Sequence, residues 1–221
     1  MPGFLTPIIL FMAILKVALM GHPVLRRKAT NVPPNTIGSP QVQQLIDDMF
    51  DTMHEYAGIG LAGPQVHEPV RIFVAGTRDA EVPAEITDDH EMPLIALINP
   101  ELTPLGAELV EGWEGCLSIP DIRGRVPRAA HVRVRAFDRR GKRIEFTASG
   151  LAARVIQHEN DHLDGVLFFD RMDSFESLTY MEEYRRYWAK RDDDESEDES
   201  PETGADEPNS VTPARARKAR A

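Results

Sequence analysis

Apolar residues recur at the spacing of an α-helix in three stretches of the chain. The first stretch predicts a helix from about Pro40 to Tyr56. The second predicts a helix from about Leu151 to Leu163, with Ser149 as its N-cap and Gly165 just beyond its end. The third runs from Leu178 to Arg191, so the pattern predicts three helices.

Between the helices, short apolar or alternating runs predict β-strands. Residues 58–63 and 77–92 are rich in glycine or polar residues and are predicted to be loops, and Asn99-Pro100 is predicted to end the second strand. We therefore expect an α+β fold in which short antiparallel sheets surround one central helix, with an additional C-terminal helix. The predicted strands are Val70–Ala75, Leu94–Ile98, Glu108–Glu111, His131–Phe137 and Arg143–Phe146.

Composition and charge narrow the class of protein. The chain has 221 residues, of which 42% are hydrophobic, and this excludes a disordered or low-complexity protein. The net charge is −11, but residues 192–208 carry ten carboxylates and no basic residue, and the tip at 215–220 carries four basic residues. The preceding part of the chain is only mildly acidic and lacks the basic surface that nucleic-acid binding needs.

The same features divide the chain into segments. Residues 1–11 are interpreted as a start-site artefact or a disordered extension, because Met12 begins an ordinary cytosolic N-terminal sequence. Residues 12–191 are expected to form one folded domain, and residues 192–221 a disordered tail. The apolar start is interrupted by a proline and a lysine and does not predict a membrane span. A single cysteine cannot form an intrachain disulfide, so we expect a soluble, cytoplasmic protein.

One pentapeptide, His158-Glu159-Asn160-Asp161-His162, carries the strongest chemical signal. On a helix, His158 and His162 are i,i+4 neighbours with Cβ atoms about 5–6 Å apart, so both imidazoles can bind one metal ion. Glu159 lies further round the helix, near enough to contact a water on that metal. We therefore predict that the central helix binds a metal ion.

A catalytic metal site with two histidines needs a third protein ligand and an open position. The only cysteine, Cys116, is the natural candidate, and Gly115 beside it permits close backbone approach. Taken alone, a lone cysteine is more often a small buried residue, and a nucleophile paired with a histidine is a second alternative. The helix motif favours the metal-ligand interpretation. Glu114 and Arg128 flank this site and are expected to pair and brace the thiolate loop.

Residues 58–63 spell G-x-G-x-x-G, the pattern of a dinucleotide-binding loop. The context does not fit, because a helix precedes the loop and Pro64 follows it, where a strand and a helix are required. What remains is a glycine-rich segment leading to Gln65, whose amide could donate to an oxyanion. Taken alone, the segment is more simply a glycine turn with a surface glutamine.

Together, three segments resemble motifs of the peptide deformylase family. The family pattern Gly-x-Gly-x-Ala-Ala-x-Gln is matched by residues 58–65, with Gly63 in place of an alanine, which we expect to affect loop stiffness more than chemistry. Glu-Gly-Cys-Leu-Ser is matched without change at residues 114–118, and Gln-His-Glu-x-Asp-His-Leu-x-Gly is matched at residues 157–165. The resemblance spans roughly residues 12–169, and we expect residues 12–191 to form a deformylase-like catalytic domain.

This resemblance implies both a reaction and roles at the site. Similar proteins remove the N-formyl group from nascent polypeptides that begin with formyl-methionine, and release formate. Glu159 would act as general base and acid, and the Gln65 side chain with the Leu117 N–H would hold the oxyanion. One divalent metal ion is implied, most often Fe2+, with Ni2+, Co2+ or Zn2+ also able to occupy the site. By position in the motifs, its ligands would be Cys116, His158 and His162.

The methionine side chain requires an apolar pocket beside the metal. Leu151 and Val155 can share the helix face of His158 and, with Ile59 and Gly60, form our predicted pocket, although the first two could equally be helix core. The expected partners are N-formylmethionyl nascent peptides and, through the basic tip, the ribosome near the peptide exit. We expect a monomer that does not contact a membrane.

A zinc metallopeptidase of the His-Glu-x-x-His type is the main alternative. Such enzymes usually take their third ligand downstream of the helix, where Asp164, Asp170 and Asp173 are candidates. That assignment leaves Cys116 and Gln65 without a role. A purely structural metal site is disfavoured as well, because no fourth ligand is evident.

Overall fold

The structure is a computed structural model that describes residues 13–87 and 92–189. The predicted N-terminal extension, the predicted tail and the last two residues of the predicted third helix therefore lie outside the described residues. The α-helices are α1 (Pro40–Glu55), α2 (Gly150–Leu163) and α3 (Met181–Tyr187), and the strands are β1 (Gly60–Ala62), β2 (Ile72–Ala75), β3 (Glu85–Ile86), β4 (Ile95–Pro104), β5 (Leu109–Cys116), β6 (Ile119–Ala129), β7 (His131–Phe137), β8 (Arg143–Ser149) and β9 (Thr179–Tyr180).

The described strands form two sheets. The six-stranded sheet has the order β1-β2-β4-β7-β8-β3, and the three-stranded sheet has the order β5-β6-β9. Pairing is antiparallel throughout except between β3 and β8, which are parallel. Helix α2 contacts strands of both sheets. The predicted combination of helices and sheets is confirmed, and the β3–β8 pair is the exception to the predicted antiparallel pairing.

Both faces of the six-stranded sheet are covered by a helix, as the burial of β2 illustrates. All four residues of β2 are buried, and alternate side chains enter different apolar clusters. Phe73 packs in the cluster that contains Ile156 of α2, whereas Ile72 packs in the cluster that contains Met49 of α1. Side chains alternate between the two faces of a strand, and both faces are covered here. Every residue of β2 is therefore apolar.

Two predicted loops and one predicted strand end are wrong. The 58–63 segment contains β1, and the 77–92 segment contains β3. Asn99-Pro100 does not end its strand, because β4 continues to Pro104 with a shift in register between Ile98 and Glu101. Asn99 adopts a φ of 51°, and its side chain bonds both backbone groups of Val32 at 2.8 Å, which stabilises the irregularity.

The ends of other elements also differ from the predictions. The predicted strand at 108–111 is the start of the longer β5, and β8 continues to Ser149. Ser149 occupies the N-cap position of α2, but its side chain makes no capping hydrogen bond. The predicted third helix begins later, at Met181, because Thr179–Tyr180 pairs with β6.

The chain divides after Glu182 into two compact units. The first contains both sheets, α1 and α2. The second unit begins within α3. It contains an ion pair in which Nη1 of Arg186 lies 3.9 Å from Oε1 of Glu183. Over the described residues, none of the helices has the length and apolar character required to cross a bilayer.

Candidate metal centre and active site

The three predicted metal ligands come together where the end of β5 meets α2. The Sγ of Cys116 and one nitrogen of each of His158 and His162 all lie within 4.8 Å of one another. Sγ is 3.3 Å from Nε2 of His162, and the two imidazole centroids are 4.9 Å apart. Both histidines are buried, and Cys116 is partly buried. No second group of this kind is present in residues 13–87 and 92–189.

Glu114 holds the His158 imidazole through its Nδ1 atom. Nδ1 of His158 lies 2.8 Å from Oε2 of Glu114, and Arg128 donates to both oxygens of the same carboxylate at 2.8 and 3.0 Å. Burial alone would raise the pKa of Glu114, but hydrogen bonds from Arg128 and His158 lower it to about 2. Glu114 is thus an anion that orients the imidazole, an arrangement common to metal-binding histidines. The expected pairing of Glu114 with Arg128 is present.

The charges at this site suit a cation. Burial alone would lower the pKa of His158, but hydrogen bonds with Cys116 and Glu114 raise it well above its usual value. The surroundings of this imidazole therefore favour a positive charge, which a bound metal would supply in place of the proton. Burial lowers the pKa of His162 well below its usual value, which favours the neutral, ligating form. One cysteine sulfur and two imidazole nitrogens form a donor set suited to a first-row transition metal. The residues therefore fit a divalent metal ion.

Arg128 connects the two elements that carry the candidate ligands. It lies on β6 and contacts Glu114 of β5 and Asp161 of α2. All three side chains are buried. Arg128 thus bridges two carboxylates that are shielded from water, with Arg154 as a further partner of Glu114 and Arg171 as a further partner of Asp161, and removing it would leave both buried charges less well paired.

Arg128→Met is expected to lower the free energy of unfolding by about 3–5 kcal/mol, the usual cost of breaking a buried ion pair by removing one partner. Urea unfolding would measure this change. Arg135→Met is the matched control, because Arg135 pairs with Glu145 on the exposed side of a strand and should contribute little. Equal effects of the two substitutions would contradict the structural role of Arg128.

Glu159 lies on α2 against Gly60 of β1. A Cβ built on Gly60 would overlap the carboxyl of Glu159, so only glycine leaves room for this carboxyl. Glu159 is 4% exposed, and its Oε2 has no hydrogen-bond partner within the described part of the chain. Burial raises the pKa of Glu159 to about 7. A carboxyl with this pKa can both accept and donate a proton near neutral pH.

Gln65 is buried beside the cysteine, so the alternative of a surface glutamine is wrong. It is 1% exposed, and its Nε2 donates to Sγ of Cys116 at 3.5 Å and to Oγ of Ser118 at 3.3 Å. Its Oε1 accepts the Ala62 N–H at 2.7 Å, which fixes the orientation of the amide. Leu117 lies in the turn between β5 and β6, and the role of its N–H stays a prediction.

Gly63, where the motif usually has alanine, is a point of close backbone approach. A Cβ at this position would stand 2.8 Å from the carbonyl oxygens of both Glu68 and Val70. An alanine would therefore require the backbone to shift. The departure from the motif is explained by packing in this chain rather than by loop stiffness.

The four predicted pocket residues lie in different surroundings. Gly60 contacts Glu159, and Ile59 beside it is exposed. Leu151 lines a cleft of about 490 Å3 between β5, the start of β7 and the start of α2. Val155 packs against the apolar cluster of the six-stranded sheet. Their binding of methionine stays a prediction.

Sequence reasoning missed Arg154, which lines the same cleft as Leu151. Its guanidinium lies over Gly112, where a Cβ would stand 2.7 Å from Nη2. It donates to the carbonyl oxygens of Val110, Gly112 and Val126 and to Glu114. Arg154 precedes His158 by four residues, so helical spacing places it on the same face as Leu151. It was not predicted because the pocket was expected to be apolar, which excluded charged residues.

Comparisons with known proteins identify the class. A family model described as polypeptide deformylase matches residues 14–177. Peptide deformylase 2 of Pseudomonas putida is 43% identical over 163 residues, which cover 74% of this chain and 90% of the relative. Peptide deformylase 2 of Nostoc sp. is 41% identical over 177 residues, which cover 80% of this chain and 96% of the relative.

Solved structures agree with the sequence matches. A class I type b peptide deformylase from Acinetobacter baumannii, with Met-Ala-Ser bound, matches with a TM-score of 0.66 and 37% identity, covering 73% of this chain and 100% of that one. A peptide deformylase from Thermotoga maritima matches with a TM-score of 0.64 and 34% identity, covering 73% and 99%. The chain is thus a hydrolase. It belongs to the peptide deformylase family.

Proposed function

We propose that this chain removes the N-formyl group from the N-terminal methionine of newly synthesised polypeptides and releases formate. The observation that carries the proposal is the convergence of Cys116, His158 and His162 beside the buried carboxyl of Glu159. Membership of the deformylase family supports the same reaction. The Gln65 amide, which reaches the same cysteine, supports a role in binding the reacting carbonyl.

Cys116, His158 and His162 would hold one divalent metal ion, with Fe2+ as our first choice and Ni2+, Co2+ or Zn2+ as alternatives. When bound, such a metal supplies a water of lowered pKa as the nucleophile near neutral pH. Cys116 would act as a ligand and not as the attacking group. Glu114 would keep the His158 imidazole in its ligating orientation.

The acid–base and oxyanion roles fall to residues already in place. Glu159 would take a proton from the attacking water and deliver it to the amine nitrogen, which leaves only when protonated. The Gln65 amide and the Leu117 N–H would donate to the formyl oxygen as its negative charge develops. Donors that are fixed before the reaction stabilise this charge most effectively, and hydrogen bonds to Ala62 and Ser118 fix the Gln65 amide.

The substrate would enter with its methionine side chain beside Ile59, Gly60, Leu151 and Val155. The Acinetobacter baumannii enzyme with Met-Ala-Ser bound supports a peptide that begins with methionine. The cleft beside Leu151 supports a binding role for the first turn of α2. A strict preference for methionine over smaller residues would agree with this pocket.

Formate release from formyl-Met-Ala-Ser by anaerobically purified protein tests the proposed reaction. We expect release from the formylated peptide by protein loaded with Fe2+, Ni2+ or Co2+. The matched control is acetyl-Met-Ala-Ser, which has a bulkier acyl group and could release only acetate, so both peptides are also assayed for the free N-terminal amine. Cleavage of internal peptide bonds without formate release would favour the metallopeptidase alternative instead.

We further propose that the enzyme is a cytoplasmic monomer that meets nascent chains at the ribosome. The basic tip at residues 215–220 would provide the contact. The tip and the acidic run before it lie outside the described residues, so this proposal depends on the sequence alone. Deleting residues 192–221 should reduce co-sedimentation with ribosomes, and unchanged co-sedimentation would refute the contact.

A further inference from the structure

A short turn follows α2 and lies directly behind the candidate metal ligands. It is a 3-10 turn over Phe168–Arg171, and two arginines anchor it at different points. Arg26 pairs with Asp170, whose carboxylate also accepts the Leu167 N–H at 2.7 Å. Arg171 donates to both oxygens of Asp161 at 3.0 and 2.7 Å. The turn is therefore tied back to the helix that carries both histidines.

The Arg171 ion pair continues into the site through buried charges. Asp161 precedes His162 and shares the guanidinium of Arg128 with Glu114. Glu114 in turn contacts Nδ1 of His158. Arg171, Asp161, Arg128, Glu114 and His158 thus form one continuous chain of charged contacts that begins at the surface and ends on a candidate ligand.

The same turn packs against both ligand-bearing elements. The Phe168 ring is 1% exposed and stacks on the His158 imidazole, with 6.3 Å between the ring centroids and 24° between their planes. Phe168 belongs to an apolar cluster with Ile119 and Val126, and Cys116 packs against that cluster. A movement of the turn would therefore reach both His158 and the loop that carries the cysteine.

We propose that Arg171 is a positioning residue for the metal centre. The Arg171 side chain is 48% exposed, but the carboxylate that it neutralises is 8% exposed. Without Arg171, Asp161 keeps the guanidinium of Arg128, which Glu114 shares, and the turn behind His158 loses one of its two anchors. The imidazole is then held less firmly. This role rests on the proposed function, because it requires that His158 binds a metal.

The test compares two arginines that anchor the same turn and are about equally exposed. Arg171→Met removes the contact with Asp161, whereas Arg26→Met removes the contact with Asp170 and leaves Asp161 untouched. Each variant is loaded with Co2+, and the transfer of Co2+ to a chelator, the absorption spectrum of the bound Co2+, and kcat and KM are measured. Arg171→Lys keeps a positive charge next to Asp161 and provides a second, milder variant.

Outer partners of metal ligands typically change metal affinity or activity about 10- to 100-fold, and we expect about three- to tenfold for this more distant residue. Arg171→Met should release Co2+ faster and lower kcat by that factor, with KM unchanged and an altered Co2+ spectrum. Arg171→Lys should recover part of both losses. Arg26→Met should stay close to the wild type in release rate and spectrum.

Two results would overturn the role of Arg171. One is equal Co2+ release from Arg171→Met and Arg26→Met. The other is a lower Tm in Arg171→Met with the Co2+ spectrum and release rate unchanged, which would make Arg171 a residue of stability only. Wild-type protein that binds no Co2+ would refute the proposed metal centre and the role of Arg171 together, and the wild-type spectrum separates this failure from the other two.

Discussion

Glu159→Gln is expected to keep the metal and to lower kcat/KM for formyl-methionyl peptides about a hundred- to ten-thousand-fold, the usual contribution of a positioned acid–base group. The two side chains are nearly equal in size, so the close packing against Gly60 should persist. Glutamine cannot take up or release a proton, whereas burial raises the pKa of Glu159 to about 7. Formate release and metal content should be measured on the same preparation.

Glu55→Gln makes the same chemical change at an exposed position on α1 and should alter neither quantity. Near-full turnover of Glu159→Gln would remove the proton-transfer role from Glu159. Loss of the metal from Glu159→Gln would instead contradict the proposed ligand set, because it would place this carboxyl among the metal ligands. Measuring turnover together with metal content therefore separates these two errors.

The long helices were predictable because local signals and burial agree there. The prediction of a helix from about Pro40 to Tyr56 matches α1, where the Ser39 side chain accepts the Val42 N–H and one face is buried. The turn between β7 and β8 is also determined locally, since Gly141 adopts a φ of 77° there. In both cases a few neighbouring residues determine the conformation.

Strand β6 was not predictable in this way. It contains two prolines and several charged residues, which are uncommon in strands, and Asp121 adopts a φ of 61°. Its pairing with β5 and β9 holds it in the sheet. Arg128 was expected to pair with Glu114, but its burial also depends on Asp161 of α2, which the sequence does not place beside it. The context that makes β6 a strand is supplied by distant parts of the chain.

The same distinction between local and distant determinants holds for the candidate site. His158, Glu159 and His162 share one helix, so their arrangement follows from spacing alone. Pairing of Glu114 with Arg128 was expected, but the extension to Asp161 and Arg171 was not, because the sequence does not indicate which of many charged residues meet. The stacking of Phe168 on His158 also requires the turn after α2 to fold back on the site. Local motifs thus predict the reacting groups, whereas tertiary contacts determine what supports them.

Cys116→Ala is expected to lose the bound metal and to lower formate release about a thousandfold or more, since several kcal/mol of transition-state stabilisation go with the metal. Two imidazoles on one helix leave a catalytic site one protein ligand short. The fold should survive, because Cys116 is partly buried and an alanine fits within its volume. Metal content by elemental analysis and circular dichroism of the same sample would test both statements.

Asp164→Asn is the matched comparison, because the metallopeptidase alternative takes its third ligand downstream of the helix and Asp164 is the first candidate there. Asp164 pairs with Arg71 at 2.7 Å and lies outside the group that Cys116 forms with the two histidines. We therefore expect Asp164→Asn to retain the metal and the activity that Cys116→Ala loses. The reverse result, with metal retained in Cys116→Ala and lost in Asp164→Asn, would show that the third ligand comes from the downstream segment and that the cysteine only fills space beside it.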